Sequence, residues 1–118
     1  MSFKRKLQQP TDSLPEPMIA ALNEWAKQNP KIERVVVFGS RARGDARPDS
    51  DLDLAMRFVP EVDSTLSELI THAAAWCAEL TNLLGVLVTE MELADDPDGG
   101  LYPAIRDEGV LIYLSERS

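Results

Sequence analysis

Phe38-Gly39-Ser40-Arg41-Ala42-Arg43-Gly44-Asp45-Ala46-Arg47-Pro48-Asp49-Ser50-Asp51-Leu52-Asp53-Leu54 is the stretch on which the reading turns. It begins where a β-branched run, Ile32 to Phe38, gives out at a glycine, and such runs suit strands buried on both faces. Gly39 lets the chain turn sharply and lets another group approach the backbone closely. A short helical turn starting there would aim its free N–H groups and the Ser40 hydroxyl outward, as an anion site. Three arginines follow within seven positions, and guanidinium forks match phosphate oxygens. Asp51 and Asp53, one residue apart at the start of a second strand read over Asp51 to Phe58, project from the same face.

Two like charges about 7 Å apart on a strand repel unless they are fully solvated or share a cation. Magnesium is the fitting cation, being hard and held by one or two carboxylates together with substrate phosphates. The order of parts matters more than any one of them. A phosphate-type turn, a basic loop and paired acids on the next strand bring a triphosphate and its metals to one edge of a sheet. Two metal ions about 3.5–4 Å apart need a further carboxylate. The third strand, Val86 to Leu93, offers Glu90 and Glu92, both expected on the face of Val86 and Val88. Glu90 is favoured because it lies deeper in the apolar run.

Other phosphate motifs fail. The glycine spacing of Gly39 to Gly44 suits a P-loop, but Asp45-Ala46 follows where Lys and then Ser or Thr are needed. No Gly-x-Gly-x-x-Gly is present. The single histidine, His72, falls on the polar side of a helix and reads as solvated. Cys77, the single cysteine, falls on the apolar stripe of the same helix and reads as inert core, as do Trp25 and Trp76.

Around this centre the chain reads as one domain from 13 to 118, preceded by a flexible basic arm over 1–12. Ser13-Leu14-Pro15-Glu16 has capping-box spacing and opens a first helix that Asn29-Pro30 stops. Thr65 to Glu68 repeats the spacing and opens a long helix. Its stripe is Leu66, Leu69, Ile70, Ala73, Trp76, Cys77, Leu80 and Leu84, and Gly85 stands where a left-handed cap belongs. A turn-rich loop, a short helical stretch and a last strand over Val110 to Leu114 complete the chain. The class is α/β (α+β): a small mixed sheet of about four strands with helices packed on it.

Charge is unevenly spread. The 118 residues carry a net charge of −8, yet residues 1–50 hold nine Lys/Arg against six Asp/Glu, and residues 51–118 three against fourteen. So acidic a chain repels phosphate backbones, which argues against general nucleic-acid binding. A local basic cluster in it can still receive a small anion. No apolar run approaches the ~18 residues of a membrane span. With no signal-like segment at the N-terminus and a lone thiol, the expected compartment is a reducing cytoplasm.

Gly39-Ser40, ten residues, then Asp51-Leu52-Asp53 resembles the signature of the DNA polymerase beta-like nucleotidyltransferases, and the fuller pattern is similar to their minimal, stand-alone branch. The resemblance covers about residues 32 to 114. It implies transfer of a nucleoside monophosphate, AMP from ATP above all, to an acceptor hydroxyl with release of pyrophosphate. It further implies that Gly39, Ser40 and Arg41 hold the triphosphate, and that Asp51, Asp53 and Glu90 hold two Mg2+ ions. Arg43 and Arg47 are weaker phosphate contacts. At the third acid the branch usually reads Val-Asp-hydrophobic, where this chain has Thr89-Glu90-Met91. At this length, recognition of the acceptor is expected to fall to a partner or to a homo-oligomer. Members of the branch are commonly paired with a small helical HEPN-domain toxin, which the nucleotidyltransferase silences as antitoxin by adding AMP to a tyrosine. Two other readings share the motif: an inactive module that neutralises a partner by contact, and a small-molecule nucleotidyltransferase, which usually carries an extra helical domain.

Overall fold

The computed structural model describes residues 5–6 and 11–116. In chain order the elements are β1 (Arg5–Lys6), α1 (Glu16–Lys27), β2 (Ile32–Phe38), α2 (Ser40–Arg43), β3 (Leu52–Phe58), α3 (Thr65–Leu84), β4 (Val88–Leu93), α4 (Tyr102–Glu108) and β5 (Val110–Leu114). The sheet order is β1-β5-β2-β3-β4. β2 runs antiparallel to β3 and β5, while β3–β4 and β1–β5 are parallel, so the sheet is mixed. Four strands match the expectation, and β1 adds a two-residue fifth on Val110 and Leu111. Most of the proposed basic arm lies outside the described residues.

One face of the sheet carries the larger core. Leu52, Leu54, Met56 and Phe58 of β3 point there, with Val35 and Val37 of β2, and α1 and α3 close over them through Leu22, Trp25, Leu69, Trp76 and Leu80. Trp25 meets Trp76 edge to face, with ring centroids 5.6 Å apart, so both tryptophans are core as expected. The opposite face is thinner: Val36, Phe38 and Ala55 pack against Ala94 and Ile105, the latter from α4. β3 is therefore covered on both sides, and only Asp53 and Arg57 on its second face remain half-buried.

Several local expectations need correction. Ser13 does not cap α1; Pro15 occupies that position, and the buried Ser13 hydroxyl accepts from the Ala46 N–H at 3.2 Å. A long-range demand from the 44–50 loop outcompetes the local cap. The cap of α3 is Ser64, not Thr65, and accepts from the Ser67 N–H at 3.3 Å. Leu66 and Ile70 are 56% and 69% exposed, because the buried face of α3 is centred on Leu69, Trp76 and Leu80. His72 is half-buried, stacked on Trp76 at 4.7 Å with its Nε2 3.1 Å from Glu68. Gly85 ends α3 at φ 74°, the left-handed cap that its position called for. Among the described residues no helix is long and apolar enough to cross a membrane.

Candidate active site

β2 delivers the chain to Gly39 and the antiparallel register seats Asp53 opposite Phe38, one residue from the turn. Gly39 has φ +77°, a conformation that L side chains rarely adopt, and a Cβ built on it would overlap the Asp53 carboxylate. Glycine is thus required twice over: by the backbone and by the acid beside it. From Gly39 the chain enters α2, whose single turn is closed by Gly39 and Ser40 carbonyls accepting from Ala42, Arg43, Gly44 and Asp45. The N–H groups of Ser40 and Arg41 stand ahead of that ladder, as at any helix start.

Glu90, the expected third acid, comes beside Asp53 through a slip in register. Leu52 pairs with Val88, but the next residue, Asp53, pairs with Glu90, so Thr89 is an extra residue in β4. A bulge of this kind reverses which face the following side chains take. Val88, Met91 and Leu93 then all join the larger core, while Glu90 stands beside Asp53 and Glu92 beside Ala55. The expectation that Glu90 and Glu92 share a face with Val88 is corrected by this bulge. Its effect on the site is direct, because without it the acid would sit on the wrong side of the sheet.

The electrostatics follow the geometry. Burial pushes the Asp53 carboxyl above its ordinary range, and the charges of Glu90 and Asp51 push it further, against an opposing pull from Arg43. Two neighbouring acids therefore act on Asp53. Asp51 is exposed just before β3, and its Oδ2 accepts from the Thr89 hydroxyl at 3.4 Å, tying the first acid to the bulge. Among the described residues no three His, Cys, Asp or Glu side chains converge on one point as a ready metal cage. The donor set fits magnesium in the mode it ordinarily uses, through one or two carboxylates with phosphate oxygens supplying the rest.

The arginines divide their labour differently from the sequence expectation. Arg41 is only 3% exposed, and its guanidinium is spent on carbonyls: Nη1 donates to Ser13 at 2.9 Å, Nη2 to Ser50 at 2.8 Å and Pro48 at 3.2 Å, and Nε to Ser50 at 3.2 Å. It clamps the loop that leads into Asp51 onto the segment before α1. Burial of an arginine is the signal that sequence reasoning lacked, since a basic loop looks the same wet or folded inward. Arg43 remains at the surface, paired with Asp45 at 3.4 Å and Glu108 at 3.2 Å, and it is the arginine whose charge reaches Asp53. Arg47 is exposed, its N–H bonded to the Ser50 hydroxyl at 2.8 Å. Cys77 is half-buried, its thiol pushed up by burial and by Glu90. Two clefts of about 480 Å³, one lined by Lys31 and Glu68 and the other by Asn23 and Tyr113, contain none of these residues.

Comparison with known proteins bears on the family and the fold. The family model "Polymerase beta, Nucleotidyltransferase" matches residues 20–118. A crystal structure of a toxin-antitoxin with AMP-PNP superposes with a TM-score of 0.64 at 18% identity, over 84% of this chain and 75% of that one. A structure from Sulfolobus solfataricus aligns at a TM-score of 0.46 and 21% identity, over 85% and 79%. No curated protein matches the sequence. A turn built on Gly39, acids on β3 and β4 and a family match over most of its length place the chain in the polymerase beta nucleotidyltransferase family.

Proposed function

We propose that the protein transfers AMP from ATP to a hydroxyl of a partner protein in the cytoplasm, acting as the antitoxin of a helical HEPN-type toxin. The observation that carries the reading is the bulge at Thr89, which sets Glu90 beside Asp53 at the Gly39–Ser40 turn. The toxin-antitoxin structure with AMP-PNP, whose fold this chain shares, supports the biological setting.

In this reading the Gly39–Ser40 turn receives the triphosphate, with the Ser40 N–H, the Arg41 N–H and the Ser40 hydroxyl as donors. Arg43 supplies the nearby guanidinium, while the Arg41 side chain holds the loop. Asp51, Asp53 and Glu90 are the residues that would hold Mg2+, which when bound neutralises phosphate charge and lowers the pKa of the attacking hydroxyl. The acceptor oxygen forms a bond to the α-phosphorus as the bond to the bridging oxygen of pyrophosphate breaks. Glu90, the most exposed of the strand acids, accepts the hydroxyl proton. Catalysis by such a site is positioning and charge neutralisation.

The test is transfer from ATP labelled at the α- or the γ-phosphate to a purified HEPN-domain partner. Retention of the α label alone on the partner, reduced about 10²–10⁴-fold by Glu90→Gln, is the expected result. Equal labelling by the variant, or no label on the partner, contradicts it.

A further inference from the structure

β4 is the outer strand of the sheet, and among the described residues nothing pairs with its free edge. Its two sides differ in character. On one side lie Glu90 and Glu92, brought there by the bulge. On the other side α3 packs along the strand and turns an apolar stripe outward. Leu66 shares a cleft with Glu92, Asp96 and Leu101 at one end of β4. Cys77, eleven residues on along the same helix, is partly buried against the larger core. Ile70 falls between them on this stripe, and Leu66, Ile70 and Leu101 are 56%, 69% and 37% exposed.

Exposed apolar residues of this size, rimmed by acids and beside an unpaired strand edge, are features of surfaces that receive a partner. We propose that the free edge of β4 receives an extended segment of the acceptor protein in which apolar and basic residues alternate. A strand added there sends alternate side chains to opposite faces. One set lies on the Leu66–Ile70 stripe, and the other meets Glu90 and Glu92. A tyrosine in the second set arrives beside Glu90 and Asp53, where the transfer takes place; the proposal rests on that reading of the site.

Charge selects this occupant over a second copy of the chain. Pairing two β4 edges would set Glu90 and Glu92 against their own kind. Glu90 and Glu92 on the strand and Asp96 in the loop that follows it gather like charge on this side of the sheet. Lysine or arginine from a partner relieves that repulsion, and the effect weakens with salt.

The experiment uses two fluorescein-labelled peptides of identical composition. In one, valines alternate with lysines and a central tyrosine; in the other the same residues stand in blocks. Fluorescence anisotropy on the full chain measures both, with Ile70→Gln and Glu92→Gln beside the wild type. The alternating peptide is expected to bind about tenfold tighter than the block peptide, and Ile70→Gln to remove most of that difference. Ile70 is too exposed for this change to disturb the core. Equal binding of the two peptides, binding of neither, or no effect of Ile70→Gln overturns the proposal. Magnesium-dependent ATP binding, measured on the same preparation, keeps the two readings apart. If it persists while the peptides fail, only the docking surface falls; if it is absent, the nucleotidyl-transfer reading falls.

Discussion

The two faces of the sheet divide the protein's tasks. On the face covered by α1 and α3, every inward residue of β3 is apolar and 3% exposed or less, and two tryptophans close the gap between the helices. On the other face the core shrinks to a few residues around Ala55, and the column that contains Ala55 begins with Asp53 and ends with Arg57. The acids therefore stand where the packing is thinnest, in a place dry enough to raise Asp53 while Asp51 and Glu90 stay exposed. The larger core lies on one face and the candidate site on the other.

Leu54→Ala should show the largest effect, because it removes a fully buried side chain from the thick face. A loss of about 2–5 kcal/mol in denaturant unfolding is expected. A loss under ~1 kcal/mol would mean the two faces are less unequal than described. Arg41→Gln comes next, since it leaves the buried Ser13 carbonyl and the half-buried Ser50 carbonyl without their charged donor. It should cost about 2–3 kcal/mol and speed hydrogen exchange over 44–50. A wild-type exchange pattern would remove Arg41 from its role as clamp.

Gly39→Ala probes the seam between the faces. Forcing a side chain into φ +77° against Asp53 should cost about 1–3 kcal/mol and displace the acid. Nucleotide binding should fall further than stability alone explains, and parallel losses of both would argue against close approach at the turn. The smallest effect has the opposite sign. Because the folded-state pKa of Asp53 is raised, the native state holds its proton to higher pH than the unfolded chain. This acid therefore costs stability as pH rises from its ordinary value through its raised one. Asp53→Asn should thus raise Tm by a few degrees at neutral pH, with the gain vanishing in acid. A lowered Tm at neutral pH would contradict the crowding of the three acids.

Much of this was open to reading from the chain alone. The Ile32–Phe38 strand, the Gly39–Ser40 turn and the start of the next strand near Asp51 are local patterns, and local physics forms them. What escaped depends on partners far along the chain. The face of Glu90 is decided by how β4 pairs with β3, because a bulge at Thr89 leaves no trace in the alternation of Val86 to Leu93. Ser13 has a capping residue's chemistry but serves Ala46 instead, 33 positions away. Arg41 has the chemistry of a phosphate contact, yet its donors are taken by Ser13, Pro48 and Ser50. The exposure of Leu66 and Ile70 is likewise fixed by the angle at which α3 settles on the sheet and not by its own periodicity.

The measurement closest to the central claim is calorimetric titration of ATP with and without magnesium, on the wild type and Asp53→Asn. Magnesium-dependent binding in the wild type that is lost in a stably folded Asp53→Asn is the predicted result. Binding that ignores magnesium, survives the substitution or never appears at millimolar ATP would contradict a working nucleotide site at the Gly39 turn.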